Sequence, residues 1–238
     1  MPVGRTGAAG RDAGLLYSCG MPDSPAARRP NRVPTGNPAL DTILAQLSRA
    51  DIELDQPLVS RRTVHAGRYL TVERDMAVMA GGGESERDIV VHPGAVVIAP
   101  LDADGRLLFV TQFRLPAGGA MLELPAGTLD IEDGEIEDPL IAAHRELEEE
   151  TGYRAGSMER LAGFWSAPGF STEYLTLYLA TDLRFAHEDR LAPDADEELR
   201  LSRISLVDAV AAVELGVIED AKSIAGVLLL ARRLAPGS

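Results

Sequence analysis

Four of the five residues from Glu146 to Glu150 are glutamates, and a glycine, Gly152, stands two positions further on. The segment from Glu137 to Gly152, EDPLIAAHRELEEETG, has the ends of a helix written into it. Pro139 suits a first turn, where its missing N–H has no partner to lose. Gly152 suits the left-handed position just past the last turn. The glutamates therefore crowd into the C-terminal turns, where like charges repel at i,i+3 and i,i+4 and the helix dipole disfavours anions. A fold that keeps them there must have a use for them.

At about 100° per residue, Glu149 falls about 60° to one side of Glu146 and Glu150 about 40° to the other. These three carboxylates share a face. Leu140, Ala143, Leu147 and Thr151 form the adjoining stripe, expected to be buried, and Glu148 is expected to point to solvent. Arg145, at i,i+4 from Glu149, is placed to orient that carboxylate. An all-oxygen donor set of this density suits Mg²⁺ or Mn²⁺.

The helix sits inside a strand-rich pattern. RYLTVERDMAVM, RDIVVHPGAVVIAP, RLLFVTQF, LAGFWS, YLTLYLATDL and RLSRISL read as strands, and VDAVAAVELG and DAKSIAGVLLLARRLA as helices. The absence of regular βαβ alternation predicts an α+β fold with a mixed sheet between helices. Residues 1–55 are expected to be an N-terminal extension, largely disordered and rich in Gly, Pro, Ala and Arg up to about residue 37. Within it a short helix near 38–48, with Leu40, Ile43, Leu44 and Leu47 on one side, is expected to dock on the domain. The main domain is expected over 56–238.

The extension through Asp55 carries six arginines and six acids, so the whole net charge of -14 belongs to the remainder. That charge argues against nucleic acid or an anionic membrane as partner. No apolar run approaches the length of a membrane span. The single cysteine, Cys19, fits a reducing, cytoplasmic setting. The four histidines lack zinc-ligand spacing.

Gly127, Glu137 and the run Arg145-Glu146-Leu147-x-Glu149-Glu150-x-Gly152-Tyr153 together resemble the signature of the Nudix hydrolases, Gly-x5-Glu-x7-Arg-Glu-U-x-Glu-Glu-x-Gly-U, where U is a bulky apolar residue. One departure stands out. Nine residues, TLDIEDGEI, separate Gly127 from Glu137, where the signature has five. The four extra residues fall before the helix and leave open whether Glu137 is catalytic or a first-turn acid favourable to the dipole. Beyond the signature, GRYLTVERD, HPGAVVIAP, MLELPAG, SAPGFSTEYL and DAKSIAGVLLLAR resemble the ADP-ribose pyrophosphatase branch.

That resemblance implies Mg²⁺-dependent hydrolysis of the diphosphate of ADP-ribose to AMP and ribose 5-phosphate. Its alternatives are another nucleoside diphosphate sugar as substrate, or a non-catalytic ADP-ribose-sensing domain. It also implies roles. Glu146, Glu149, Glu150 and the Ala126 carbonyl would hold metal, with Glu149 also counted as catalytic. Arg114 would contact the diphosphate, Arg87 the adenine, and Pro168 marks ADP-ribose as substrate. Glu197, in the late acidic loop, would be the general base, with Glu198 next to it as runner-up. Trp165 and Tyr69 can stack on a base, with core packing expected for Trp165. The branch further implies a homodimer through exchanged N-terminal strands.

Overall fold

The computed structural model describes residues 32–67, 70–187, 191 and 199–235. The first element, α1 (Pro38–Glu53), is capped by Asn37, whose side chain accepts from the Ala39 and Leu40 amides. It runs past the expected end at 48 and, contrary to the expected docking, buries none of its residues. Leu40, Ile43 and Leu47 stay exposed. The apolar spacing gave the stripe correctly, but amphipathic spacing does not name the surface that covers it.

Three antiparallel strands follow, β1 (Leu58–Ala66), β2 (Thr71–Val78) and β3 (Glu84–Val91), forming a sheet of their own. The expected single run from Arg87 to Pro100 is broken at His92-Pro93-Gly94, where Pro cannot donate to a ladder. It resumes as β4 (Ala95–Pro100), whose residues are all buried. Next come β5 (Arg106–Arg114), a 3-10 turn (Leu115–Ala117), β6 (Gly119–Glu123), β7 (Ala126–Thr128), and the short pair β8 (Ile131–Glu132) and β9 (Glu135–Ile136). Helix α2 (Pro139–Thr151) precedes the long strands β10 (Tyr153–Trp165) and β11 (Tyr174–Phe185), then β12 (Arg200–Ser205), α3 (Leu206–Glu214) and α4 (Ala221–Leu234).

The central sheet has the order β10-β11-β4-β7, with β11 and β4 parallel and the other pairs antiparallel. A second sheet, β12-β5-β6, is antiparallel. Alternation along the central strands sends side chains to two faces. Val96, Ile98, Tyr178 and Ala180 meet Ala142, Ala143 and Leu147 of α2. Ala95, Val97, Leu175 and Leu177 meet the second sheet through Leu107 and Phe109, and α4 through Val227 and Leu230. The mixed sheet thus lies between helices, as the sequence predicts. In α2 the stripe is rotated slightly from expectation. Ala142 is fully buried, while Leu140, in the first turn and beyond the sheet's cover, is exposed.

Candidate active site

Helix α2 begins and ends where its residues direct. Asp138 caps it by accepting from the Leu140 amide, and Gly152 ends it in the left-handed conformation at φ 73°, donating its N–H to the Glu148 carbonyl. The C-terminal glutamates are thereby set against β7. The Glu150 carboxylate, buried, accepts from the Ala126 amide at 3.0 Å. Glu146 lies against Gly127 so closely that a Cβ there would be 1.9 Å from its carboxylate carbon. Only glycine leaves that room. The turn Leu124-Pro125-Ala126-Gly127 is held from below as well, by the Ile98 amide donating to the Pro125 carbonyl at 2.8 Å.

Arg145 is the hub of this surface. It reaches Glu146 at 2.7 Å, Glu149 at 2.9 Å, Glu137 at 2.8 Å and Asp130 at 3.6 Å. The hydrogen bonds it donates to Glu137 and the charge of Glu146 hold the Arg145 guanidinium well above its ordinary pKa. The sequence anticipated the pair with Glu149 but not the other three partners.

The nine-residue spacer folds into the β8–β9 hairpin, turning through Asp133 (φ 52°) and Gly134 (φ 88°). Its base is closed by the Glu137 amide on the Asp130 carbonyl and the Asp130 amide on the Glu137 carboxylate. Glu137 is thus delivered to Arg145, and Asp138, not Glu137, serves the helix N-terminus. Hydrogen bonding from Arg145 depresses the Glu137 pKa.

Glu148 corrects the sequence reading. It is buried and receives two hydrogen bonds from Arg154, both 2.7 Å, and one from the Leu191 amide at 2.9 Å. The reversal at Gly152 brings β10 back alongside the helix and puts Arg154 where a helical wheel alone shows only solvent.

At the end of β5, Arg114 makes a two-pronged pair with Glu123, both bonds 2.8 Å. Glu123 is almost completely buried. Burial opposes its ionisation, but Arg114 and Lys222 together hold its pKa below the usual range. The Glu123 hydrogen bond likewise raises the Arg114 pKa, with smaller additions from the charges of Glu150 and Asp220.

A cavity of about 620 Å³ opens beside the central sheet, lined by Arg32, Arg61, Asp75, Trp165, Pro168 and Tyr174 among others. Trp165 is a half-buried wall of this space, edge-on to Tyr174 with ring centroids 5.1 Å apart. The cavity and the glutamates share a side of the sheet. Gly163, Thr176, Val96 and Gly127 pair in one row across β10, β11, β4 and β7. Three strand spacings, about 14 Å, therefore separate the cavity's Gly163 from the turn at Gly127. By alternation Tyr174, Thr176 and Tyr178 point to the α2 side.

The structure thus brings together Ala126, Glu146, Glu149 and Glu150, with Arg114 near Glu150. It places Pro168 in the cavity wall. Arg87 is exposed, in register with Asp75 and through it with Arg61. Its guanidinium folds back onto the Ser85 hydroxyl and the Glu86 carbonyl. Glu197, Glu198 and Tyr69 lie outside the described residues. Lys222, the one lysine among 23 basic residues, reads in the sequence as compositional bias, and only its ion pair with Glu123 puts it beside Arg114.

Among the described residues, no three acidic, His or Cys side chains converge on one point. Glu146 and Glu149 are turned to Arg145, and Glu150 to the Ala126 amide. The donor set nonetheless fits a hard divalent cation: three carboxylates in adjoining turns of one helix, all oxygen, with Glu146 and Glu150 set against the Ala126–Gly127 turn.

The family model of the NUDIX domain matches residues 91–227, which include the Ala126–Gly127 turn, the glutamates of α2, Arg114 and Lys222. The chain belongs to the NUDIX family. Within that family it is similar to the ADP-ribose pyrophosphatase of Bacillus subtilis (strain 168), 34% identical over 170 residues, covering 71% of this chain and 89% of that one. It is 37% identical over 176 residues to the ADP-ribose pyrophosphatase of Mycobacterium tuberculosis (strain ATCC 25618 / H37Rv), covering 74% and 83%. A methanol dehydrogenase activator of Bacillus methanolicus is 35% identical over 176 residues, covering 74% and 92%. The crystal structure of an ADP compounds hydrolase superposes with a TM-score of 0.65 at 23% identity, covering 76% of this chain and 94% of that one. It shares the NUDIX fold described above.

Proposed function

We propose that this NUDIX protein hydrolyses the diphosphate of ADP-ribose to AMP and ribose 5-phosphate, with Mg²⁺ as its metal and Mn²⁺ as a substitute. The observation that carries the reading is the seating of Glu146 and Glu150 on the Ala126–Gly127 turn. It sets two carboxylates and a backbone carbonyl at one edge of the sheet, with a nucleoside-sized cavity on the same side of it. Similarity to two ADP-ribose pyrophosphatases supports the choice of substrate.

Glu146, Glu149, Glu150 and the Ala126 carbonyl would hold the divalent ion. When bound, the ion supplies charge neutralisation, polarises the phosphoryl oxygens and lowers the pKa of water. Arg114, fixed in direction by Glu123, presents its guanidinium to the diphosphate oxygens. Arg145 holds Glu146 and Glu149 at the edge of the site. Glu197 takes the proton from the attacking water, whose oxygen forms the new bond to one phosphorus. The bond from that phosphorus to the bridging oxygen breaks, and its electron pair leaves with the second phosphate. The cavity, with Trp165 and Pro168 in its wall, receives the nucleoside, and Arg87 contacts the adenine at the N-terminal sheet.

We also propose a homodimer through the N-terminal elements. All nine residues of β1 are exposed and α1 buries nothing, an unusual amount of unpacked structure for a lone protomer. Sedimentation at micromolar concentration tests it; a monomer throughout refutes it. No helix among the described residues is long and apolar enough to cross a membrane, and a cytoplasmic site of action suits this substrate.

The deciding experiment supplies purified protein and Mg²⁺ with ADP-ribose, ADP-glucose and GDP-mannose, and identifies products by mass. Preferred release of AMP and ribose 5-phosphate, lost in chelator and restored by Mg²⁺ or Mn²⁺, supports the proposal. Preference for another sugar replaces the substrate. No turnover of any, with tight binding of ADP-ribose, replaces the enzyme by a sensor.

A further inference from the structure

We propose that Lys222 is a positioning residue for the diphosphate: it shares the buried Glu123 carboxylate with Arg114, so that Arg114 is fixed in direction without standing against uncompensated negative charge. This rests on the diphosphatase reading above.

The three side chains differ sharply in access. Glu123 is 2% exposed and Lys222 13%, while Arg114 is 41% exposed. Arg114 is the more open of the two cations to an arriving diphosphate. Both cations use the same carboxylate oxygen: Glu123 Oε2 accepts from Arg114 Nη2 and from Lys222 Nζ. Glu123 and Asp220 bring two negative charges to this corner, and Arg114 alone would offset only one of them. Lys222 brings the four groups to neutrality. Lys222 also reaches Asp220 at 3.0 Å. An ammonium, compact and with three rotatable donors, suits two carboxylates converging from different directions.

The first turns of α4 hold this group against the metal-side turn. Asp220 caps α4, accepting from the Ser223 amide at 3.0 Å and the Ser223 hydroxyl at 2.5 Å. The same hydroxyl, fully buried, accepts from the Leu124 amide at 2.7 Å. One turn on, Gly226 lets α4 come so near that a Cβ would be 2.5 Å from the Leu124 side chain. Lys222 is thereby registered to Glu123, three residues before Ala126.

The test measures KM and kcat for ADP-ribose in wild type, Lys222→Met, Glu123→Gln and the double variant, with Mn²⁺ affinity read by electron paramagnetic resonance without substrate. Lys222→Met should raise KM roughly tenfold, the scale of one charge-assisted hydrogen bond. Its kcat should change by less than about threefold, and its Mn²⁺ affinity should hold. Glu123→Gln/Lys222→Met should recover most of the KM, because removing the buried charge removes the need for its second cation. A wild-type KM in Lys222→Met, or a double variant as weak as the single, overturns the inference. If Lys222→Met does not fold, the double variant is compared with Glu123→Gln: equal KM values support the inference and a higher KM in the double overturns it. Absence of turnover in wild type is a different result; it removes the diphosphatase reading, and this inference with it.

Discussion

Glu146 occupies the space that a side chain at Gly127 would need. The carboxylate and the turn are therefore one fitted unit, made by a helix end and a strand start 19 positions apart. Anything that separates them moves a proposed metal ligand relative to the Ala126 carbonyl.

Gly127→Ala is expected to lower kcat/KM for ADP-ribose by roughly 100-fold or more, the scale for a catalytic group displaced by about 1 Å. The core on either side of the central sheet is untouched, so far-ultraviolet circular dichroism should be unchanged. An alanine variant with wild-type turnover would show that the contact is not needed.

Glu148→Gln separates scaffold from chemistry. It weakens a buried pair with Arg154 and should cost about 1–3 kcal/mol in urea unfolding. Turnover per folded molecule should stay at the wild-type level, since Glu148 faces away from the site. A large fall in kcat with unchanged stability would refute this division.

Glu137 should make stability depend on acid. Its folded pKa is depressed, chiefly by the hydrogen bond from Arg145. Its contribution is then full above the unfolded glutamate pKa of about 4.3 and is lost as pH falls through the lower folded value. Glu137→Gln should flatten the fall in urea midpoint over that window. Part of the slope should remain, because Glu123 is depressed in the same direction. Identical slopes in the two proteins would contradict the assignment.

Glu197→Gln is expected to lower kcat by roughly 100-fold or more, within the range for a positioned general base, with little change in KM. Glu198→Gln should cost much less. Rapid-quench or steady-state rates at saturating ADP-ribose decide between them, and the reverse ranking would move the base by one residue.

Much of this was readable before the fold. Pro139 and Gly152 marked the limits of α2, and helical spacing put Glu146, Glu149 and Glu150 on one face, because both follow from local geometry. What was not readable depends on segments meeting from elsewhere. A wheel gives Glu148 an angle but cannot place Arg154 and Leu191 beside it. Spacing gave α1 its stripe but no cover for it. Lys222 acquires meaning only when α4 lies against Glu123, 99 positions earlier. Counting residues from Gly127 to Glu137 left the glutamate's role open, since the count does not show that the intervening chain turns back on itself.

That returning path has a practical consequence. The β8–β9 hairpin leaves and rejoins the body at Asp130 and Glu137, whose backbone contacts clamp its base, while its tip at Asp133-Gly134 is exposed. Loop-closure entropy grows only slowly with length. The tip is accordingly a port where foreign sequence, such as an epitope or a fluorophore-binding tag, can be spliced in while Glu137 still arrives at Arg145.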